Sequence, residues 1–227
     1  MRVGILCTQT ARLVNGGPDT GAFLCEIADL RQVLMRVNNC EVHFITPDGG
    51  LIPIDPVSRE ERFLTAYTKE FLSLGEDILK FSIPVDHAMK GHWDCVLGAG
   101  GHGIIEDGEA FTELYRQVYH AGGVIGAVCH GPWGLVDTGL LDGVGVTCFS
   151  DAEEAQDSHI RAWVPEPWLE EALLQAGAKV YHMNAPWTSE FMISACRRII
   201  TGRNPQSGVA WAHEVRKQLE IMQDAKD

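Results

Sequence analysis

The chain has 227 residues, 45% hydrophobic and 22% charged. That balance fits one soluble domain with a sizeable core and excludes disorder, collagen-like repeats and a disulfide-stapled miniprotein. Acidic residues outnumber basic ones 31 to 18, a net charge of −13, so phosphate backbones and anionic lipid are disfavoured and neither nucleic acid nor membrane is expected as a partner.

In chain order, the apolar run 3–7 stops at Thr8-Gln9-Thr10 and reads as a buried first strand, not a leader. Residues 20–37 carry Phe23, Ile27, Leu30, Leu34 and Val37 at steps of three and four, which predicts a helix with one apolar stripe. A Val- and Ile-rich strand follows at 41–46. The stretch 49–91 breaks the alternation: a helix-like core at 60–81 lies between Pro53, Pro56 and Pro84, a possible cap or insert within a single domain spanning 1–227. Strands are expected at 93–97 and 124–129, with a helix over 109–120 between them. A helix over 166–176 stops at Gly177, residues 191–201 read as a strand, and Asn204-Pro205 opens a last helix to about 223. Strand–helix alternation of this kind implies an α/β fold, a mostly parallel sheet with helices on both faces. No run approaches the ~20 apolar residues that cross a bilayer. Seven scattered cysteines with no Cys-x-x-Cys pair suit a reducing, cytoplasmic setting.

The most informative segment is Gly122-Gly123-Val124-Ile125-Gly126-Ala127-Val128-Cys129-His130-Gly131-Pro132-Trp133-Gly134. An apolar strand runs into a cysteine, then into small and turn-forming residues before a short helix, the layout of a nucleophile elbow. Such a turn exposes the sulfur at the carboxyl ends of the strands, and the following helix N-terminus favours thiolate. An inert core cysteine is the alternative reading, and it is the expected one for Cys7, Cys95 and Cys196. At Cys129, however, His130-Gly131-Pro132 ends the strand at that point.

A second turn, Leu97-Gly98-Ala99-Gly100-Gly101-His102-Gly103, follows another strand, and its glycines let backbone N–H groups converge on one point beside a thiolate. No Lys follows, so no nucleotide is expected. Glu26 lies on the apolar side of the first helix, where a buried carboxyl would keep its proton; a solvated helix residue is the alternative reading. The nine histidines lack paired helical spacing, so no metal site is expected.

Ala127-Val128-Cys129-His130-Gly131-Pro132, with Gly100-Gly101-His102-Gly103 upstream, resembles the ThiJ/PfpI superfamily, class I glutamine amidotransferase-like proteins with a flavodoxin-like three-layer sandwich. Thr20-Gly21-Ala22-Phe23-Leu24-Cys25-Glu26, Val146-Thr147-Cys148-Phe149-Ser150-Asp151-Ala152-Glu153-Glu154 and Ile200-Thr201-Gly202-Arg203-Asn204-Pro205-Gln206-Ser207 are similar to one branch, heat-shock chaperones that are also glutathione-independent glyoxalases. The resemblance implies Cys129 as nucleophile, His130 as its acid/base neighbour and Glu26 as the acid bonded to sulfur. It implies Glu154 as the residue orienting the histidine, with Glu153 and Asp151 as competitors. Gly101 and His130 would supply the oxyanion N–H groups, and His102 would shape the loop. Trp133 departs from the family pattern, where smaller residues are common, and with Trp187 is expected to narrow or reshape the pocket. Cys25, an extra thiol beside Glu26, is a candidate to oxidise or to pair transiently with Cys129.

The implied activity is conversion of a small 2-oxoaldehyde to a 2-hydroxy acid, a lyase reaction with no metal, glutathione or nucleotide cofactor. Hydrolase, hydratase or deglycase chemistry on the same cysteine stands as an alternative. So does a stress chaperone or redox sensor without turnover. A homodimer is the expected assembly.

Overall fold

The structure is a computed structural model that describes residues 1–14, 16–157 and 160–225. Its centre is a sheet of β1 (Arg2–Leu6), β2 (Glu41–Thr46), β3 (Ile83–Pro84), β4 (Cys95–Gly98), β5 (Val124–Val128), β8 (Phe191–Ile193) and β9 (Ile199–Gly202), in spatial order β3-β2-β1-β4-β5-β9-β8. All neighbours run parallel except β8 and β9. A separate parallel pair joins β6 (Gly145–Val146) to β7 (Lys179–Val180).

Successive side chains on a strand point to opposite faces, and both faces here are apolar. Val3, Ile5, Cys95, Leu97, Val124 and Val128 enter one core, while Leu6, Val96, Ile125 and Ala127 enter the other. The first core is closed by α1 (Leu24–Leu34), α2 (Ala66–Ser73) and α8 (Gly208–Asp224), the second by α5 (Thr112–His120) and α7 (Leu169–Gln175). This is the three-layer α/β sandwich. Short helices α3 (Val85–Ala88), α4 (Ile104–Asp107) and α6 (Asp151–Glu154) complete the set.

The hydrophobic periodicity overran element ends. The first helix starts at Leu24, not at 20, because Gly21 has φ 155 and is locked against the backbone of residues 53–55. The strand expected over 191–201 is a hairpin: Arg197 N–H bonds Ser194 O, Ser194 Oγ accepts from Ile199 N–H, and Arg197 takes φ 59. Cys196 therefore sits in a turn and is exposed, not an inert core residue as its sequence context suggested. The stretch 49–91 supplies β3 to the sheet edge and α2 to the layer beside α1, and its Val57, Glu60, Arg62 and Phe63 line a cavity over the strand ends.

β1 connects to β2 on one side, and β4 lies on its other side, so the chain direction of travel reverses between β1 and β4. In open α/β sheets the crevice outside the carboxyl ends of the strands at such a switch point is where ligands bind. The loops after β4 and β5 and the start of α1 all meet there.

Candidate active site

Cys129 follows β5 immediately and takes φ 59, a left-handed conformation that costs a non-glycine residue about 1–3 kcal/mol. Its backbone is clamped on both sides. The N–H donates to Gly202 O at 3.0 Å, and its carbonyl accepts from Phe149 N–H at 3.0 Å. The residue is only 3% exposed, yet it lines the floor of a cavity of about 690 Å³. Phe23, Phe63, Phe149 and Trp187 give that cavity an apolar wall.

Two close approaches explain the glycines. A Cβ on Gly100 would stand 2.7 Å from both the Cys129 Cβ and Glu26 Oε2, so a side chain there would separate the acid from the sulfur. Gly101 has φ 101, and a Cβ there would fall on Gly21 O. Among the described residues the Gly101 N–H has no acceptor, while the His130 N–H is turned toward the Cys129 sulfur. Both implied oxyanion donors thus border the sulfur's cavity.

His130 is fully buried, and its Nδ1 lies 3.4 Å from Cys129 Sγ. Its Nε2 is 2.7 Å from Glu154 Oε2, and His102 Nε2 is 3.1 Å from Glu154 Oε1. Two imidazoles therefore share one carboxylate. Those two histidine neighbours outweigh burial and hold the Glu154 carboxyl well below the usual carboxylate range. An ionised carboxylate only accepts, so each Nε2 carries the proton, and His130 Nδ1 is left with a lone pair facing the thiol. Burial, with His102 beside it, pushes the His130 pKa down, keeping the ring neutral at neutral pH. Phe149 packs over it at 4.5 Å between centroids.

Glu26 is the opposite case. Its Oε2 accepts from Gly100 N–H at 2.6 Å, but Oε1 has no partner of good geometry. Burial dominates and pushes the carboxyl up to about 8, so it is a neutral acid at pH 7. The same burial, together with the adjacent Glu26, pushes the Cys129 thiol well above its ordinary value, and the His130 N–H only partly opposes this. The helix-end argument for a resting thiolate is thus overturned. Desolvation of a sulfur in a dry site outweighs one backbone dipole, and the resting state is a thiol facing a neutral imidazole.

The three acids at 151–154 separate cleanly. Glu153 is fully buried and bonded to Arg203 Nε at 3.1 Å, Asn204 Nδ2 at 2.8 Å and Trp187 N–H at 2.7 Å. Arg203, itself 1% exposed, also meets Glu190 at 3.1 Å. Asp151 opens α6, and its N–H bonds Glu170. Glu154 alone of the three reaches His130.

Trp187, at φ 63, lines the cavity, packs edge-on to Phe149 and donates its indole N–H to Gln156 Oε1 at 3.0 Å. Trp133 does not line the cavity. It lies on the tight helical turns after the elbow and packs into the second core, in contact with Gly108. Cys25 is likewise buried away from the cavity. Sequence reasoning missed Phe63 and the acidic part of the lining, Asp19, Asp55, Glu60 and Asp157. It also missed the buried Arg203, whose only signal was a lone arginine directly after an apolar strand. The expectation of no metal set rested on spacing within helices. In space His102, His130 and Glu154 come together from three segments.

Fold and site together define an open α/β protein with a cysteine at a nucleophile elbow, flanked by a histidine–carboxylate pair and a second, protonated carboxyl. The chain belongs to the DJ-1/PfpI family, whose profile matches residues 25–218. It is 28% identical to Glyoxalase 3 of Candida albicans over 92% of this chain and 94% of that protein. It is 27% identical to the glutathione-independent glyoxalase HSP31 of Saccharomyces cerevisiae, over 85% of this chain and 86% of that one. Among solved structures, the Rapid Encystment Protein 24 KDa of Francisella tularensis superposes with a TM-score of 0.86 at 28% identity, covering 96% of this chain and 98% of that one.

Proposed function

We propose that the protein is a glutathione-independent glyoxalase that converts a small 2-oxoaldehyde such as methylglyoxal to a 2-hydroxy acid. One observation carries the reading. A strained Cys129 holds its sulfur 3.4 Å from the lone pair of a neutral His130, while a protonated Glu26 stands beside the same sulfur. Full-length similarity to proteins named as glyoxalases supports it.

The chemistry follows from the protonation states. His130 Nδ1 takes the thiol proton as sulfur adds to the aldehyde carbon, C1, and Glu154 stabilises the imidazolium that forms. The oxyanion develops toward the Gly101 N–H, then receives the proton from His130 to give a hemithioacetal. His130 next removes the C1 hydrogen while Glu26 protonates the C2 oxygen, giving an enediol. The imidazolium returns its proton to C2, and the Glu26 carboxylate takes the proton of the C1 hydroxyl. The product is a thioester in which C1 has been oxidised and C2 reduced, with no outside oxidant. Water, deprotonated by His130, hydrolyses it to the 2-hydroxy acid and restores the thiol. Burial of both acid/base groups suits this role, because it places their pKa values on either side of neutrality.

A second reading has a specific observation behind it. The cavity, about 690 Å³, is larger than a three-carbon aldehyde needs, and its lining carries Asp19, Asp55, Glu60 and Asp157 against Arg62. That lining suits a larger, cationic amine adduct, on which the same cysteine would act as a hydrolase or deglycase. Purified protein is to be given methylglyoxal, a thioester and a glycated amine, with products scored in place of aldehyde loss. The glyoxalase reading expects lactate from methylglyoxal, with turnover falling on the order of 10⁴-fold or more in Cys129→Ala. Lactate formation that survives this substitution refutes it, and release of free amine without lactate favours the second reading.

A further inference from the structure

The glyoxalase reading uses Glu154 as a partner for His130 and leaves His102 without a chemical task. Yet His102 is 8% exposed and sends its Nε2 to the carboxylate that His130 also uses. The two imidazole rings are tilted by 43° to each other, 4.0 Å between centroids. Three donor atoms, one from the loop after β4, one from the elbow and one from α6, lie within 4.8 Å of one another. Both histidines line the cavity, so the cluster has a route from outside. Asp55 and Asp157 line the same cavity and add negative charge around it.

We propose that His102, His130 and Glu154 form a binding site for a divalent transition metal, zinc being the best fit, and that occupancy reversibly switches the cysteine chemistry off. Two imidazoles and one carboxylate with a fourth position open to a cavity is a ligand set that zinc accepts. Zinc–nitrogen and zinc–oxygen bonds of about 2.0–2.2 Å at tetrahedral angles place neighbouring donor atoms about 3.3 Å apart. The present nitrogen–oxygen separations, 2.7 Å to Oε2 and 3.1 Å to Oε1, fall short of that spacing by about 0.6 and 0.2 Å. A modest opening of one hydrogen-bonded cluster accommodates the ion.

The inhibitory step is a change of tautomer. In the metal-free protein, His130 carries its proton on Nε2 and offers the Nδ1 lone pair to the Cys129 thiol. A metal on Nε2 displaces the proton there, and the ring's one proton then resides on Nδ1, facing the sulfur. Nothing is oxidised, and sulfur is not a ligand. His130 simply has no site left to take a proton from sulfur or to carry one between the substrate carbons. The metal site itself stands without the glyoxalase reading, and only the inhibition rests on it.

The test uses Co²⁺ as a spectroscopic probe and Zn²⁺ as inhibitor, on full-length protein carrying Cys196→Ser to remove the exposed thiol. One equivalent of Co²⁺ is expected to give visible bands of a low-coordinate site without thiolate-to-cobalt charge transfer. Cys129→Ser should leave that spectrum in place. His102→Asn and His102→Gln should weaken binding well beyond the ~10–100-fold that loss of an outer-shell partner costs, with far-UV circular dichroism unchanged. Zn²⁺ should stop lactate formation and a chelator should restore it. Charge-transfer bands that vanish in Cys129→Ser would place the metal on sulfur and overturn the proposal. So would undiminished Co²⁺ affinity in both folded His102 variants. If the protein forms no lactate at all, the cobalt spectrum still decides the site, so failure of the function and failure of the site are read separately.

Discussion

Glu26 and Glu154 are two buried carboxyls, one on each side of the same cysteine–histidine pair, and they hold opposite charge states. Glu26 has one backbone donor and an unpartnered oxygen, so burial wins and its pKa rises to about 8. Glu154 has an imidazole on each oxygen, so its partners win and its pKa falls. Removal from water is common to both, and the number and kind of donors decides the outcome. The site thereby keeps a neutral acid on one side of sulfur and a fixed anion behind the base on the other.

The sharpest way to break this contrast is Glu26→Gln, which keeps the shape and removes the titrating proton. Lactate formation is expected to fall about 10²–10⁴-fold, the usual worth of one acid/base group. In the wild type, kcat/KM should decline above about pH 8 as Glu26 loses its proton, and the variant's residual activity should lack that limb. A basic limb that persists unchanged in Glu26→Gln would assign it to another group.

Glu153 sharpens the comparison from next door. Glu153→Ala leaves the buried Arg203 with one carboxylate fewer, and urea unfolding should show a loss of about 3 kcal/mol or more. Glu154→Gln should instead reduce turnover with a far smaller change in midpoint. Equal stability losses for the two would erase the distinction between structural and site carboxylates.

The pH dependence of stability should run in opposite directions for the two acids. Glu26 binds its proton more tightly in the folded state. Its contribution is therefore full below its ordinary value of 4.5 and is lost as pH rises through about 8. Glu154, with a depressed pKa, contributes above 4.5 and loses its contribution as the medium becomes more acidic. Unfolding free energy measured between pH 4.5 and 8 should lose a downward slope worth roughly 2–4 kcal/mol in Glu26→Gln. An unaltered slope would mean that Glu26 is ionised in the folded protein. The smallest effect concerns the two tryptophans. Trp187→Ala should raise KM several-fold, whereas Trp133→Phe should leave KM unchanged, since only the former lines the cavity.

How much of this was legible in the sequence varies residue by residue. Cys129, His130 and the glycine-rich turn were readable because a strand, a strained turn and small neighbours are contiguous in the chain. The burial of Glu26 was readable from its place on an apolar stripe, while its pairing with sulfur came by resemblance. Glu154 came only by resemblance. Successive residues on a helix point about 100° apart, so nothing local tells which of Glu153 and Glu154 reaches a histidine 24 residues away. Trp133 and Cys196 were misplaced because the turns that carry them redirect their side chains, Trp133 away from the pocket expected beside the elbow and Cys196 out of the strand expected over 191–201.

Composition and hydrophobic period by themselves determined the layered α/β architecture, because parallel strands buried on both faces need unbroken apolar runs and helices between them need stripes. The elbow was determined equally, since a left-handed cysteine needs small residues beside it in the chain. Only the tertiary structure decided the protonation of the site and the company of His102. Both depend on which polar groups from distant segments share one dry pocket, and desolvation acts on neighbours in space, not on neighbours in sequence.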